Sequence, residues 1–97
     1  MMKRQGDLLI VKVSKIPDGV VKKTSLVLAE GEATGHMHKL DCGEVYEKDE
    51  VLYFRVTDNH QSTLMHPEHK AIIFEPGEYK VVQQREYTPE GWRAVID

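Results

Sequence analysis

Four of the five histidines in the chain form two close pairs. The first pair is His36-Met37-His38, and the second is His66-Pro67-Glu68-His69. If the first pair lies on a β-strand, the two-residue period of the strand directs both imidazoles to the same face. A spacing of three would direct the second pair to opposite faces of a regular strand, but Pro67 favours a turn, which can bring the two rings together. Each pair can therefore supply two imidazoles to one site.

Clustered neutral imidazoles are typical ligands of first-row transition metals. We predict a divalent metal site, with zinc the most suitable ion and iron, nickel or copper also compatible, whose ligands are His36, His38, His66 and His69. Glu68 is a candidate proton-transfer group or hydrogen-bond partner of an imidazole. A three-histidine site would leave a position for a reactive water, whereas a closed four-histidine site would mainly hold strands together. The sequence leaves both roles open.

Two other interpretations compete with metal binding. Histidine is a common surface residue, and His-Pro-Glu-His is an acceptable exposed turn. Alternatively, the domain is a metal-free binding or assembly module that uses the histidines to recognise an anionic ligand or partner, or to transfer protons. A small nuclease or phosphoesterase is a third hypothesis. We expect His60, within the polar segment 58–61, to lie in solvent, and Cys42, which has no C-x-x-C partner, to lie outside the ligand set.

Charge and cysteine content narrow the classes of partner. Thirteen Lys and Arg residues against sixteen Asp and Glu residues give a net charge of -3, which disfavours nucleic-acid binding. The single Cys42 cannot form an internal disulfide, and no pattern resembles a cleavable signal, so we expect a reducing, cytoplasmic location. The longest early apolar run, Leu8-Leu9-Ile10-Val11, is too short to cross a bilayer, which predicts a soluble protein.

Short β-branched and aromatic runs, separated by Gly, Pro, Asp or Asn, predict an all-β domain. The predicted strands are 7–13, 25–30, 36–40, 44–48, 51–57, 62–66, 70–75 and 78–87. In the strand 51–57, alternation places Leu52, Phe54 and Val56 on the core-facing side. We expect residues 1–97 to form one domain, a compact barrel or roll of about seven or eight mostly antiparallel strands.

The links between these strands carry turn residues. Lys48-Asp49-Glu50 predicts a hairpin turn, and the polar segment 58–61 predicts a further meander connection. Glu75-Pro76-Gly77-Glu78 predicts a type II turn that pairs the strands on either side. Thr88-Pro89 resembles the start of a helix, which allows a short C-terminal helix over 89–96.

A chain of 97 residues buries only about 60 to 65% of its unfolded surface. The core is therefore small, and a deep substrate cleft would remove much of it. A shallow site for a small molecule, or an interface in a homo-oligomer, fits this size better.

A G-H-x-H segment in a small all-β chain resembles the cupin metal motif, in which two histidines, a glutamate and a later histidine bind one ion. Here Gly31 precedes the first histidine pair and Glu44 follows it, with separations that each differ by one from the usual pattern. Pro76 and Gly77 follow the second pair, whereas the cupin Pro and Gly precede the last histidine. The cupin ligand set is therefore not carried over.

Most of the chain is similar to small uncharacterised proteins encoded by bacteria and their phages. The similarity rests on the segments Gln5-Gly6-Asp7-Leu8-Leu9, Gly35-His36-Met37-His38, His66-Pro67-Glu68-His69 and Gln84-Arg85-Glu86-Tyr87. It implies a compact stand-alone domain and no particular reaction.

Overall fold

A computed structural model describes residues 2–30, 36–83, 85–88 and 91–94. These ranges contain twelve strands: β1 (Met2–Gln5), β2 (Leu8–Val13), β3 (Val21–Lys23), β4 (Val27–Glu30), β5 (Met37–Leu40), β6 (Glu44–Lys48), β7 (Val51–Val56), β8 (Ser62–His66), β9 (His69–Phe74), β10 (Gly77–Gln83), β11 (Arg85–Thr88) and β12 (Gly91–Ala94). Within the described ranges there is no helix, and so no helical segment that could cross a membrane.

The strands form two main antiparallel sheets. One has six strands in the order β1-β2-β10-β7-β6-β3, and the other has four in the order β4-β5-β8-β9. Strands β11 and β12 form a separate hairpin. The all-β prediction is confirmed, and the arrangement is a two-sheet roll. The strand count exceeds the predicted seven or eight because β1 and β3 are short and mostly polar, because the predicted strand 78–87 is divided into β10 and β11, and because β12 lies where a helix was predicted.

The core lies between the two sheets. Its buried side chains come from both: Leu8, Ile10, Val45, Phe54, Val56, Tyr79 and Val81 from the six-stranded sheet, and Leu28, Leu40, Leu64 and Phe74 from the four-stranded sheet. Phe54, predicted as core, is fully buried and stacks on Tyr79 with ring centroids 4.8 Å apart. Phe74 meets both rings edge-on, at 5.3 and 5.1 Å. Three aromatic rings therefore join the two sheets.

The hairpin predicted at Lys48-Asp49-Glu50 is confirmed. Strands β6 and β7 pair up to Lys48 opposite Val51, which leaves a two-residue loop. Asp49 and Glu50 both have positive φ, at 51° and 66°. Positive φ at both loop positions defines the type I′ turn, whose twist matches that of the strands.

At the two other predicted links, the strands on either side were expected to pair with each other, and that prediction was wrong. The segment 58–61 leads from β7 in the six-stranded sheet to β8 in the four-stranded sheet, and the turn around Pro76 leads from β9 back to β10. The strands on either side of each link therefore do not pair. Phe74 and Tyr79 face each other across the core, which requires their strands to lie in opposite sheets. These links thus cross between the layers.

The prediction of a C-terminal helix was also wrong for those of its residues that the structure describes. Residues Gly91–Ala94 form β12, paired with β11 from Thr88 opposite Gly91 to Arg85 opposite Ala94. A helix of eight residues is marginal, and Gly in its interior costs roughly 1 kcal/mol relative to Ala. Antiparallel pairing instead satisfies the backbone of both segments. Residues 89–90 and 95–97 of the predicted helix lie outside the described residues.

Edge strand β1 joins the two sheets beside β9. The Lys3 ammonium group donates to the Ile73 carbonyl at 3.2 Å. The buried Gln5 side chain reaches across to donate to the Leu64 carbonyl in β8 and the Lys70 carbonyl in β9. The turn that follows β1 is thereby placed next to the β8–β9 hairpin.

Candidate functional site

Three strands of the four-stranded sheet position the histidines. His36 directly precedes β5 and His38 lies within it, while His66 ends β8 and His69 begins β9. Strand β8 lies between β5 and β9, and His66 is opposite His69 in the β8–β9 register. A register shift between Leu64 and His66 lets the hairpin close around its two-residue Pro67-Glu68 turn. The rings of both pairs are therefore directed to one region.

The four imidazoles form one cluster. The His66 ring lies centrally, with its centroid 4.4 Å from that of His38, 4.5 Å from that of His69 and 5.6 Å from that of His36. The His38 and His69 rings are nearly parallel, with centroids 6.1 Å apart. The structure thus brings together all four of the histidines singled out by their spacing.

The cluster runs from the interior to the surface. His38 is 2% exposed and His66 is 8% exposed, whereas the His36 side chain is about one third exposed. His36 and His66 line a shallow groove of about 380 Å³ together with Met37, Lys39, Met65 and Pro67. A small molecule in this groove would contact the cluster directly.

Gln5 fixes the orientation of the most buried ring. Its amide nitrogen donates to the Leu64 carbonyl at 3.0 Å and to the Lys70 carbonyl at 2.9 Å. Its amide oxygen lies 2.8 Å from His38 Nδ1. An amide oxygen only accepts hydrogen bonds, so His38 Nδ1 is the donor and carries a proton.

Asp7 faces the other nitrogen of the same ring. Its Oδ1 atom lies 3.5 Å from His38 Nε2, and the carboxylate is only 6% exposed. Its second oxygen, Oδ2, accepts a hydrogen bond of 3.1 Å from the Gln83 amide in β10. A buried carboxylate therefore lies at the inner side of the histidine cluster. Neither Gln5 nor Asp7 was predicted as a site residue.

Glu68 contacts two of the histidines in different ways. Its Oε1 atom lies 2.6 Å from His36 Nδ1, a short contact typical of a charge-assisted hydrogen bond. Its backbone N–H donates to His66 Nδ1 at 3.0 Å. The side chain is 58% exposed, so the carboxylate is accessible to water. Glu68 therefore contacts His36 through its side chain and His66 through its backbone.

The donor atoms do not surround a common point. Among the described residues, no group of three or more His, Cys, Asp or Glu side chains is arranged so that it could hold a metal ion. The rings are close, but His66 directs Nδ1 to the Glu68 backbone and His36 directs Nδ1 to the Glu68 side chain. Metal binding at this site therefore needs a rotation of side chains.

Cys42 and His60 make their contacts elsewhere. The Cys42 thiol donates to the Gln61 carbonyl at 3.1 Å, and burial is the main cause that raises the pKa of the Cys42 thiol. Ser62, whose hydroxyl donates to the Cys42 carbonyl, is at the opposite end of β8 from His66, roughly 13 Å away along the strand. The His60 ring lies close to Thr57 and Asp58 in the exposed β7–β8 link.

Glu44, the residue that a cupin-like ligand set would include, lies on β6. It accepts a hydrogen bond of 3.1 Å from the Tyr46 hydroxyl and lies 3.5 Å from the Arg55 guanidinium. A carboxylate is instead brought to the histidines by Asp7, from the turn between β1 and β2. The carboxylate beside the histidines therefore differs from the one in the cupin motif.

These features define a small all-β domain of two packed sheets with a partly buried imidazole cluster beside a surface groove. Residues 4–84 match the family model DUF8820, a domain of unknown function, and the chain belongs to that family. No curated protein matches the chain, and no solved structure matches it.

Proposed function

We propose that the protein binds one divalent transition-metal ion at the histidine cluster, with zinc the best-suited ion. The observation that carries the proposal is the convergence of four imidazoles from two segments far apart in the sequence. Two of these rings, His38 and His66, are buried. A divalent cation is a ligand that imidazoles from both segments could share.

The ring spacing supports this proposal for two pairs of rings, His38 with His66 and His66 with His69. Imidazoles that share an ion with Zn–N bonds near 2.0 to 2.1 Å have ring centroids about 4.5 to 5.2 Å apart, for bond angles between 90° and 109°. The His66 ring is 4.4 Å from His38 and 4.5 Å from His69, close to this range, whereas the separations of 5.6 Å between His36 and His66 and 6.1 Å between His38 and His69 exceed it. A shared ion would therefore require the rings of His36 and of His38 or His69 to move closer to the centre of the cluster.

The hydrogen bonds indicate which imidazoles are the primary ligands of the proposed ion. His36 and His38 each direct Nδ1 to an oxygen atom, of Glu68 and Gln5 respectively, which leaves Nε2 as the metal-binding nitrogen. His66 accepts a hydrogen bond at Nδ1, so it must give up the bond from the Glu68 backbone to bind through either nitrogen. We therefore assign His36 and His38 as primary ligands, completed by His66 or His69.

The groove gives the proposed ion access to small molecules. His36 and His66 are at its wall, so an ion bound to them would keep a coordination position facing solvent. Such a position holds a water whose pKa the metal lowers towards neutrality. Glu68, exposed and in contact with His36, is placed to accept a proton at that edge. This arrangement suits metal-assisted chemistry better than a closed structural site.

Metal content of untagged protein tests the proposal. Protein incubated with Zn²⁺ and desalted should retain about one ion per chain by mass spectrometry. The double variant His36→Ala/His38→Ala should lose the ion, whereas His60→Ala should retain it, because His60 lies in the exposed β7–β8 link. Failure of the wild-type protein to retain Zn²⁺, Ni²⁺ or Fe²⁺ would contradict metal binding.

A metal-free role is the second candidate, and one observation favours it. His36 and His38 already have short contacts to oxygen atoms, at 2.6 and 2.8 Å, and no group of three or more donor side chains among the described residues is arranged to hold an ion. The cluster and the nearby Lys39 would then recognise an anion in the groove. Titration with inorganic phosphate, followed by the NMR shifts of His36 and His66, separates the two roles. Saturable shifts in metal-free protein that retains no metal would support this second role.

A further inference from the structure

We infer that the groove beside the histidine cluster binds a small aliphatic carboxylate, with its alkyl chain over Met37 and Met65 and its carboxylate at Lys39. The inference needs no metal ion. It rests on the metal-free role and deepens it, because it names the class of ligand. It depends on the side chains that the four-stranded sheet presents on the face turned away from the core.

That outer face carries exposed apolar side chains. Strand β5 alternates between exposed and buried residues, and Met37 and Lys39 are its exposed positions. Met65 is the exposed position of β8 and lies opposite Lys39 in the register of the two strands. Met37, Met65 and Ile73 are 41%, 43% and 52% exposed. The solvent side of an antiparallel sheet is usually polar, so a contiguous apolar surface here indicates a binding surface.

The outer face of the six-stranded sheet differs, because charged side chains cover it. Arg55 lies 3.5 Å from both Glu44 and Glu78, so that ion pairs join the adjacent strands β6, β7 and β10. The Arg55 guanidinium also lies over the Tyr46 ring, 5.5 Å from its centroid. The exposed methionines are therefore a property of one face and do not reflect the composition of the whole surface.

The groove on the apolar face fits a flexible alkyl chain. Its volume of about 380 Å³ lies within the range of about 300 to 1,000 Å³ that small-molecule sites have. Met37, Met65 and Pro67 supply apolar surface along it. Methionine side chains are unbranched and polarizable, so they adapt to a ligand that has no rigid shape. Because the groove is shallow, such a ligand would lie along the surface.

The size of the face argues against a second copy of the chain as the occupant. The four strands have four to six residues each. Strands about 4.8 Å apart, with a rise of about 3.4 Å per residue, then span roughly 300 Å². A stable dimer buries about 800 Å² on each partner. The apolar face is therefore better matched to a small ligand.

The charges along the groove define where the polar end of the ligand lies. Among the described residues that line the groove, Lys39 is the one with a permanent positive charge, and none has a carboxylate. The Glu68 carboxylate contacts His36, which is three residues from Lys39 and so roughly 10 Å away along an extended chain. An anionic group is therefore attracted to the Lys39 end, and the alkyl chain extends towards Pro67.

Titration of the metal-free full chain with hexanoate tests the inference, with the NMR signals of the methionine methyl groups as the readout. The Met37 and Met65 signals should shift saturably, with a dissociation constant on the order of a few millimolar for so small a ligand. The alcohol 1-hexanol should bind more weakly, because it has the chain without the carboxylate. Acetate should give no saturable shift, because it has the carboxylate without the chain.

Substitutions at exposed positions separate the two parts of the site. Lys39→Gln should weaken hexanoate binding about two- to fivefold, the effect of an exposed ion pair, and should abolish the preference over 1-hexanol. Met65→Glu should abolish binding, because a carboxylate would replace apolar surface and repel the ligand. Lys12→Gln is the matched control, since it removes an exposed lysine from β2 in the other sheet and should leave hexanoate binding unchanged.

Several results would overturn the inference. These are the absence of saturable shifts, equal affinity for hexanoate and 1-hexanol, and an equal shift of the exposed Met2 in β1 of the other sheet. Met37 and Met65 signals that depend on protein concentration without ligand would show that a second copy covers the groove, and would also overturn it. Saturable shifts with phosphate but not with hexanoate would overturn the ligand class and leave the metal-free role in place.

Discussion

Gln5 Oε1 lies 2.8 Å from His38 Nδ1, and this buried contact links the edge strand of one sheet to an inner strand of the other. The same amide donates to the backbone of β8 and β9. One side chain thus makes hydrogen bonds to three strands of the four-stranded sheet. Because the contacts to Leu64 and His38 are buried and the contact to Lys70 is partly buried, their loss would leave polar atoms without partners.

Gln5→Leu should therefore destabilise the domain by about 2 to 4 kcal/mol, since it removes hydrogen bonds from the buried Leu64 carbonyl, the partly buried Lys70 carbonyl and the buried His38 ring. The unfolding midpoint in urea should fall with little change in the slope. Gln61→Leu is the control, because Gln61 also donates to a partner, Glu75 at 2.9 Å, but at an exposed position. Equal effects of the two substitutions on the unfolding midpoint would show that the Gln5 hydrogen bonds stabilise the domain no more than an exposed hydrogen bond does.

Glu68→Gln should weaken Zn²⁺ binding by about tenfold, because a carboxylate that accepts from a metal-binding imidazole raises its basicity. The contact in question joins Glu68 Oε1 to His36 Nδ1 at 2.6 Å. Competition with a chromophoric chelator would measure the affinity. Glu50→Gln, in the exposed β6–β7 turn, is the matched control. An affinity unchanged by Glu68→Gln would place His36 outside the ligand set.

Alternation along single strands predicted much of the fold. The predicted bounds 44–48 and 62–66 agree with β6 and β8, and Phe54 is buried as its position in the pattern requires. The assignment of strands to sheets was not predictable in this way. A link such as 58–61 has the same polar composition whether it closes a hairpin or crosses the core, because its residues contact solvent in both cases.

The histidines of the candidate site were predictable because four of the five histidines form two close pairs, which is an unusual spacing. Gln5 and Asp7 were not predictable as site residues, because Gln5-Gly6-Asp7 places a Gly between two polar residues, which is typical of an exposed turn. Gly6 does adopt positive φ, at 60°, as such a turn requires. Burial of its neighbours results from the position of β1 against β9, a contact between residues more than sixty positions apart. Local sequence carries no information on that contact.

Glu50→Gly should stabilise the protein by up to about 1 kcal/mol, because a left-handed conformation strains residues with a side chain. Glu50 is the second residue of the type I′ turn and has φ of 66°. A rise in melting temperature of a few degrees would be expected for a domain of this size. The control is Asp58→Gly in the β7–β8 link, which should be neutral or destabilising since only its neighbour Asn59 has positive φ.

Asp41 should make part of the domain's free energy of unfolding depend on pH in the acid range. Its Oδ1 atom accepts a hydrogen bond of 2.8 Å from the Thr63 N–H, and this bond is the main cause that lowers the pKa of Asp41 below its ordinary value of 3.8. The ionised form is favoured by folding, so the contribution is complete above the unfolded pKa and is lost as the pH falls through the folded pKa. Asp41→Asn should thus be less stable than wild type at pH 7, with a difference that narrows below about pH 4. Urea unfolding between pH 7 and pH 2.5 would measure it, and a difference that stays constant over this range would exclude the Thr63 contact as its origin.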